Sequence, residues 1–266
     1  MKKLLVFVIF IFSIYPYQSN GNKDLLKESV NNPFRKEINK KRDKYRNPYQ
    51  TLSFFGLDRE KKVLEIVPGR GWYTEIISKF MKGSDNFYTA TYEKPSYATE
   101  IITKIQRDFF QYFNQEKENF GEIKKVLIDN EFRLKDYANH FDIILTFRNS
   151  HNFLDQKKSE NMFKSFHKSL KNNGILGVVQ HRANESAEHN FNKGYVKESF
   201  LIRLIENQGF KLIEKSEINS NLKDLKNYTK GVWTLPPTLR LGDKNKSKYL
   251  NIGESDRMTL KFIKPW

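Results

Sequence analysis

The stretch of this 266-residue chain best suited to chemistry is VLEIVPGRGWYTEI, residues 63–76. An apolar run containing one acid, Glu65, leads through Pro68 into Gly69 and Gly71, and a helical pattern follows. A Gly-x-Gly turn between strand and helix lets a cofactor approach the backbone in space that a side chain at Gly69 or Gly71 would fill. Amide groups at the helix start favour an anionic group such as a carboxylate. Glu65 could accept a hydrogen bond from an ammonium group. Glu93 closes the next apolar run about 20 residues beyond Gly71, the offset at which an acid meets ribose hydroxyls in such folds. Asp129 closes the third run and could meet an adenine edge. Each acid alone reads as a polar strand terminus, but with the glycine turn the three favour a nucleoside cofactor.

A second set follows two later apolar runs: Arg148, Asn149, His151 and Asn152, then His181 and Arg182. Group transfer needs an aligned nucleophile about 3 to 3.5 Å from the reacting carbon, and sometimes a base. A histidine of near-neutral pKa could be that base. His151, Asn149 and His181 are therefore candidate catalytic residues, although both histidines read equally well as hydrogen-bonded pocket walls. Trp72, Tyr73 and Trp233 are candidates to line an acceptor pocket. Thr74 stands where a nicotinamide fingerprint needs its third glycine, which weakens a dehydrogenase reading. The P-loop and His-Glu-x-x-His motifs are absent from the sequence, and so is an Asn-Pro-Pro-Tyr base-methylating motif. Without cysteine there is no disulfide, thiolate metal site or cysteine nucleophile, and no metal is expected.

These residues sit at the ends of short apolar runs that alternate with helical patterns. Strands are expected at 63–67, 87–92, 126–128, 141–147 and 175–180, with helices at 73–80, 97–113 and 156–170 between them. Such alternation predicts a Rossmann-like α/β fold with a mainly parallel sheet and helices on both faces. A helix at 197–207 precedes strands at 210–218 and 258–263, which have no helical pattern between them and are expected to pair antiparallel at a sheet edge. The connection, 219–257, holds Trp233, Pro236, Pro237 and Arg240, then Glu254, Asp256 and Arg257. It is expected to fold over the site as a lid in which Arg240 or Arg257 pairs with a substrate carboxylate.

At the start, Lys2 and Lys3 precede an uncharged apolar run from Leu4 to Ile14, short for a membrane span but suited to an export signal ending near Gly21. The division expected is a signal at 1–21, a linker and charged helix at 22–47, and a catalytic domain at 48–266 carrying the long insertion. An exported, periplasmic protein follows, touching a membrane only if the signal stays uncleaved. The formal net charge is +16. Lysine is spread along the whole chain, so no nucleic-acid partner is expected, and the run from Arg35 to Arg46 reads as a solvated helix face.

The segments RNPYQTLSFFGL (46–57), VLEIVPGRGWYTEI (63–76), ILTFRNSHNF (144–153), GVWTLPPTLRLGD (231–243) and IGESDRM (252–258) resemble a family of predicted exported class I S-adenosylmethionine-dependent methyltransferases. The resemblance implies a seven-stranded sheet and S-adenosylmethionine as cofactor, with Glu65, Pro68, Gly69, Gly71 and Glu93 around it; it leaves the methyl acceptor open, for which a small molecule is expected. One departure is that Val67 stands where the wider methyltransferase pattern has its first glycine. S-adenosylmethionine is made in the cytoplasm, so an exported chain could instead be a nonenzymatic binding protein that keeps the fold.

Overall fold

Strand β1 (Val63–Ile66) is buried along its whole length, and its alternate residues feed two separate cores. Leu64 and Ile66 join one cluster, while Val63 joins the other with Leu26, Phe55, Ile76 and Leu145. A strand covered on both faces reads as a continuous apolar run, as parallel strands inside α/β sheets do.

The computed structural model describes residues 20–93 and 100–266. Four helical pieces, α1 (Asn20–Val30), α2 (Glu37–Lys40), α3 (Asp43–Arg46) and α4 (Pro48–Phe55), precede β1. Next come α5 (Thr74–Met81), β2 (Phe87–Tyr92), α6 (Glu100–Gln115), α7 (Lys117–Phe120) and β3 (Lys124–Ile128). Strand β4 (Phe141–Phe147) is followed by α8 (Ser150–Asp155), α9 (Ser159–Ser169) and β5 (Leu170–His181). The remainder is α10 (Glu198–Glu206), β6 (Lys211–Ser216), α11 (Lys246–Ile252) and β7 (Arg257–Ile263).

The seven strands lie in the order β3-β2-β1-β4-β5-β7-β6. All neighbours are parallel except β7, which is antiparallel to both β5 and β6. The expected antiparallel pair is present, but only β6 is an edge, since β7 is wedged between β6 and β5. The chain leaves β1 toward β2 and β3 and returns on the other side of β1 as β4. Between the carboxyl ends of β1 and β4 the strand order therefore reverses, which is where open α/β sheets bind ligands.

Three expectations change. Residues 22–34 are not a loose linker, because α1 packs against α4 and α5 with Leu26 buried and Leu25 and Val30 beside it. The charged helix is broken into α2 and α3, and only part of its run is a solvated face: Lys36, Lys41 and Lys44 are exposed, but two of the arginines are not. Arg35 and Arg46 are only 2% and 1% exposed, each paired with an acid, Asp43 and Glu254 respectively. Third, the connection after β6 is built, with a 3-10 turn at Gly231–Thr234, helix α11 and a small core of Tyr228, Leu235 and Tyr249. Strand β5 also starts earlier than its apolar run, at Leu170, with a register irregularity against β4. The expected export signal lies outside the described residues up to Ser19, and so do residues 97–99 of the expected helix.

Candidate functional site

Strand β1 ends because Val67 takes φ +44°, a left-handed conformation that costs a β-branched residue dearly. Asn149, just after β4, holds the bend: its Nδ2 donates to the Ile66 carbonyl at 2.8 Å and reaches the Val67 carbonyl at 3.4 Å. Gly69 and Gly71 follow with φ +61° and +81°. Their roles differ. A Cβ on Gly69 would meet nothing within 4 Å, whereas one on Gly71 would lie 2.6 Å from Phe113 Cε2 and 3.2 Å from Phe109 on α6. Gly69 thus faces open space as expected, but Gly71 is kept bare by helix packing and not by a ligand.

Two cavities meet at this turn. The first, about 330 Å³, runs between Pro68, Gly69, Thr91 and Tyr92 and the Ile102, Ile105 and Phe109 face of α6. The second, about 500 Å³, is lined by Arg42, Trp72, Arg148, His151, His181 and Trp233 among others. Val67, Pro68, Gly69, Asn149 and Asn152 line both.

The three acids are not gathered in the first cavity. Glu65 is buried, accepts a 2.7 Å hydrogen bond from Thr74 Oγ1, and is pushed up to a pKa of about 8 by that burial. Glu93 is partly exposed and pairs with Lys135 Nζ at 2.6 Å. Asp129 accepts from the backbone amides of Glu131 and Arg133 and from Arg133 Nε, and it borders a different hollow beside His167.

In the second cavity the histidines stand together, ring centroids 5.8 Å apart, and the Trp233 ring meets His151 edge-on at 5.8 Å. Burial lowers the His151 pKa to about 4 and drives that of His181 well below the ordinary value, with neighbouring positive charge adding to both. Neither is the near-neutral base its residue type allows. The Gln180 amide nitrogen donates to the Gly194 carbonyl at 2.8 Å and lies 3.3 Å from His151 Nδ1, which assigns the His151 proton to Nε2. His181 Nδ1 meets Ser255 Oγ at 2.5 Å.

An unfolded histidine titrates near 6.5, so acid below that value protonates the unfolded chain before the folded one and lowers stability until the folded pKa near 4 is passed. For His151 the separation is worth about 3 kcal/mol. Glu65 acts in the opposite sense, since its raised pKa favours the folded state as pH falls from 8 toward 4.5. The clean measurement is therefore a comparison by urea denaturation with His151→Gln. The wild type should lose about 3 kcal/mol relative to the variant between pH 7 and pH 4. A difference that does not change with pH would mean that His151 is not held neutral.

Arg240 is exposed and lies outside the residues lining either cavity; its guanidinium sits 5.0 Å from the Trp233 ring centroid. The insertion reaches the second cavity through Trp233 and Pro237 instead. Arg257 is buried on Glu254 and donates to the Tyr45 carbonyl at 2.9 Å. Arg182 is held by Asp256, Glu198 and Glu217. Sequence reasoning missed Arg42, Arg46 and Glu254. The available signal was the four-residue spacing of the two arginines, about one helical turn, with Arg42 just before α3 and Arg46 at its end. Arg42 Nε bonds Glu254 Oε1 at 2.5 Å and Arg46 Nε bonds Oε2 at 3.1 Å.

No family model matches the sequence, and no curated protein matches it. Solved structures do match. A SAM-dependent methyltransferase from Aquifex aeolicus is 14% identical with a TM-score of 0.56, over 91% of this chain and 98% of that one. A putative sarcosine dimethylglycine methyltransferase from Galdieria sulphuraria is 13% identical with a TM-score of 0.54, over 92% and 98%. The cyclase SpnF is 14% identical with a TM-score of 0.57, over 83% and 80%. Likeness at such identities speaks to architecture, and with the strand order above it gives the chain the Rossmann-like, seven-stranded class I methyltransferase fold.

Proposed function

We propose that this chain is an S-adenosylmethionine-dependent methyltransferase acting on a small molecule. One observation carries the reading: an apolar cavity and a charged one join at Pro68, Gly69 and Asn149, at the point where the strand order reverses. The first cavity fits a nucleoside. Its walls offer isoleucine and phenylalanine faces from α6, and Gly69 presents open space where any Cβ would intrude. Held by Pro68, Gly69 and the α6 face, S-adenosylmethionine would supply an electrophilic methyl group, carried on a sulfonium, to a lone pair of the acceptor.

The chain's own residues then act by placement. Asn149 is fixed through Nδ2, leaving Oδ1 at the junction of the cavities as its remaining acceptor. Neutral His151, protonated on Nε2, is a hydrogen-bond donor beside the acceptor space, and Trp233 covers it. With so low a pKa, His151 takes little part as a base at neutral pH. The cavity suits acceptors that are already nucleophilic.

The neighbouring fold also serves a cyclase, so binding and transfer must be measured separately. Calorimetry on the purified full chain is expected to show one site for S-adenosylmethionine and for S-adenosylhomocysteine, with no heat from ATP. Labelled methyl transfer to a panel of small acceptors should follow. A folded chain that binds neither sulfur nucleoside overturns the reading. Binding with no transfer to any acceptor favours a binding protein that keeps the fold.

A further inference from the structure

Four guanidinium groups, those of Arg42, Arg46, Arg148 and Arg257, surround one carboxylate. Glu254 bonds Arg42 through Oε1 and both Arg46 and Arg257 through Oε2. Arg148 has no hydrogen bond or ion pair from its side chain among the described residues. Several nitrogens in the cluster are buried and unpartnered: Arg42 Nη2, both Nη of Arg46 and Nε of Arg257. Arg42, Arg70 and Arg148 line the second cavity, and its described lining contains no Asp or Glu. Burial and the nearby Arg257 lower the Arg148 pKa only to about 10, so it keeps its charge at neutral pH.

Buried guanidinium groups in excess of their acids are unfavourable unless something else neutralises them. Removing a charge from water is repaid only by an opposite charge with well-aligned hydrogen bonds, and the planar guanidinium fork suits an oxyanion. Among the described residues nothing takes that place at Arg148. Trp72 adds rigidity, since the Arg46 and Arg35 guanidinium groups lie 4.6 Å and 5.5 Å from its ring centroid. The cluster is thus built and not a loose surface patch.

We propose that the second cavity is an oxyanion subsite, in which Arg148 and Arg42 grip a carboxylate or phosphate carried by the methyl acceptor while Arg46 and Arg257 back them. This rests on the methyltransferase reading for the identity of the ligand, but not for the existence of the site. An anionic acceptor would also offset the positive charge that a sulfonium brings to the adjoining cavity.

The test uses the full chain, inorganic phosphate and malonate, with sodium chloride at matched ionic strength as the control. Phosphate or malonate should raise the melting temperature of the wild type, and whichever binds more tightly identifies the oxyanion. Arg148→Gln should weaken that binding about tenfold or more, the loss of one charged fork. Without added anion the variant should melt no lower than the wild type, because removing one of four like charges relieves repulsion. Its affinity for S-adenosylhomocysteine should stay within about threefold, well under the tenfold step that marks a lost charged contact. Should Arg148→Gln fail to fold, Arg42→Gln, at a partly exposed position, carries the comparison of anion affinity, though not that of melting temperature, since Arg42 is paired with Glu254.

Unchanged anion affinity in both variants overturns the site. A loss of S-adenosylhomocysteine affinity with methylthioadenosine affinity retained overturns the assignment to the acceptor, since the cluster would then hold the cofactor's own carboxylate. If anions bind through Arg148 but no sulfur nucleoside binds at all, the oxyanion site stands and the methyltransferase reading falls alone.

Discussion

Glu254→Gln is expected to destabilise the chain by about 3 to 5 kcal/mol, the loss that follows when one partner of a buried ion pair is removed. The carboxylate is 3% exposed and, among the described residues, is the one acid paired with Arg42, Arg46 and Arg257. Glutamine keeps the shape and one acceptor oxygen, so the loss reads the charge and not a cavity. What remains is a set of buried guanidinium groups facing one another, which costs far more than breaking an exposed ion pair. The three arginines also hold the Glu254 pKa far below the usual carboxylate range against the upward pull of burial. Its contribution is therefore fully present above the ordinary glutamate value of 4.5 and is lost as pH falls below it. Urea denaturation at pH 7 should show the full loss, and the gap between wild type and variant should narrow in acid. A difference under about 1 kcal/mol, typical of a surface pair, would mean that the cluster is solvated and that its charges need no compensation.

The second large effect separates the two glycines of the turn. Gly71→Ala should cost about 2 to 4 kcal/mol of stability, from its left-handed backbone and from the Phe113 ring 2.6 Å from the new Cβ. Gly69→Val carries only the backbone penalty, about 1 to 2 kcal/mol, because its side chain enters open space. That space is the first cavity, so this variant should lose S-adenosylhomocysteine affinity by about tenfold or more. Denaturation and calorimetry on both variants check the pair. If Gly69→Val folds and binds as tightly as the wild type, the cofactor does not use this turn.

The contrast also shows which features were legible in the sequence. Strands β1, β2 and β4 emerge within one residue of their apolar runs, because burial on both faces keeps them largely apolar, with Glu65 and Asp142 as the charged exceptions. Strand β5 begins in LKNN, where only hydrogen bonding to neighbours marks the strand. The glycine turn was legible as a turn, but Phe113, which explains Gly71, comes from α6 and has no local signature. Arg46 failed for the same reason: its acid is 208 residues away, and a mainly basic run reads as solvated when the burying partner is not local. His151 and His181 could be placed at strand ends, while their low pKa values come from burial that residue type does not reveal.

The inward position of β7 bears on how the molecule is made. Strands β5 and β6 do not touch each other; both wait for residues 257–263 to fill the gap between them. Arg42 and Arg46 likewise precede their acid, Glu254, by 212 and 208 residues. Until β7 emerges from the ribosome, the facing edges of β5 and β6 stay open, an invitation to adventitious pairing. Most of the sheet can form during translation, but its closure waits for β7. A chain clipped before residue 257 would lose an interior strand, and with it the pairing that joins β5 to β6.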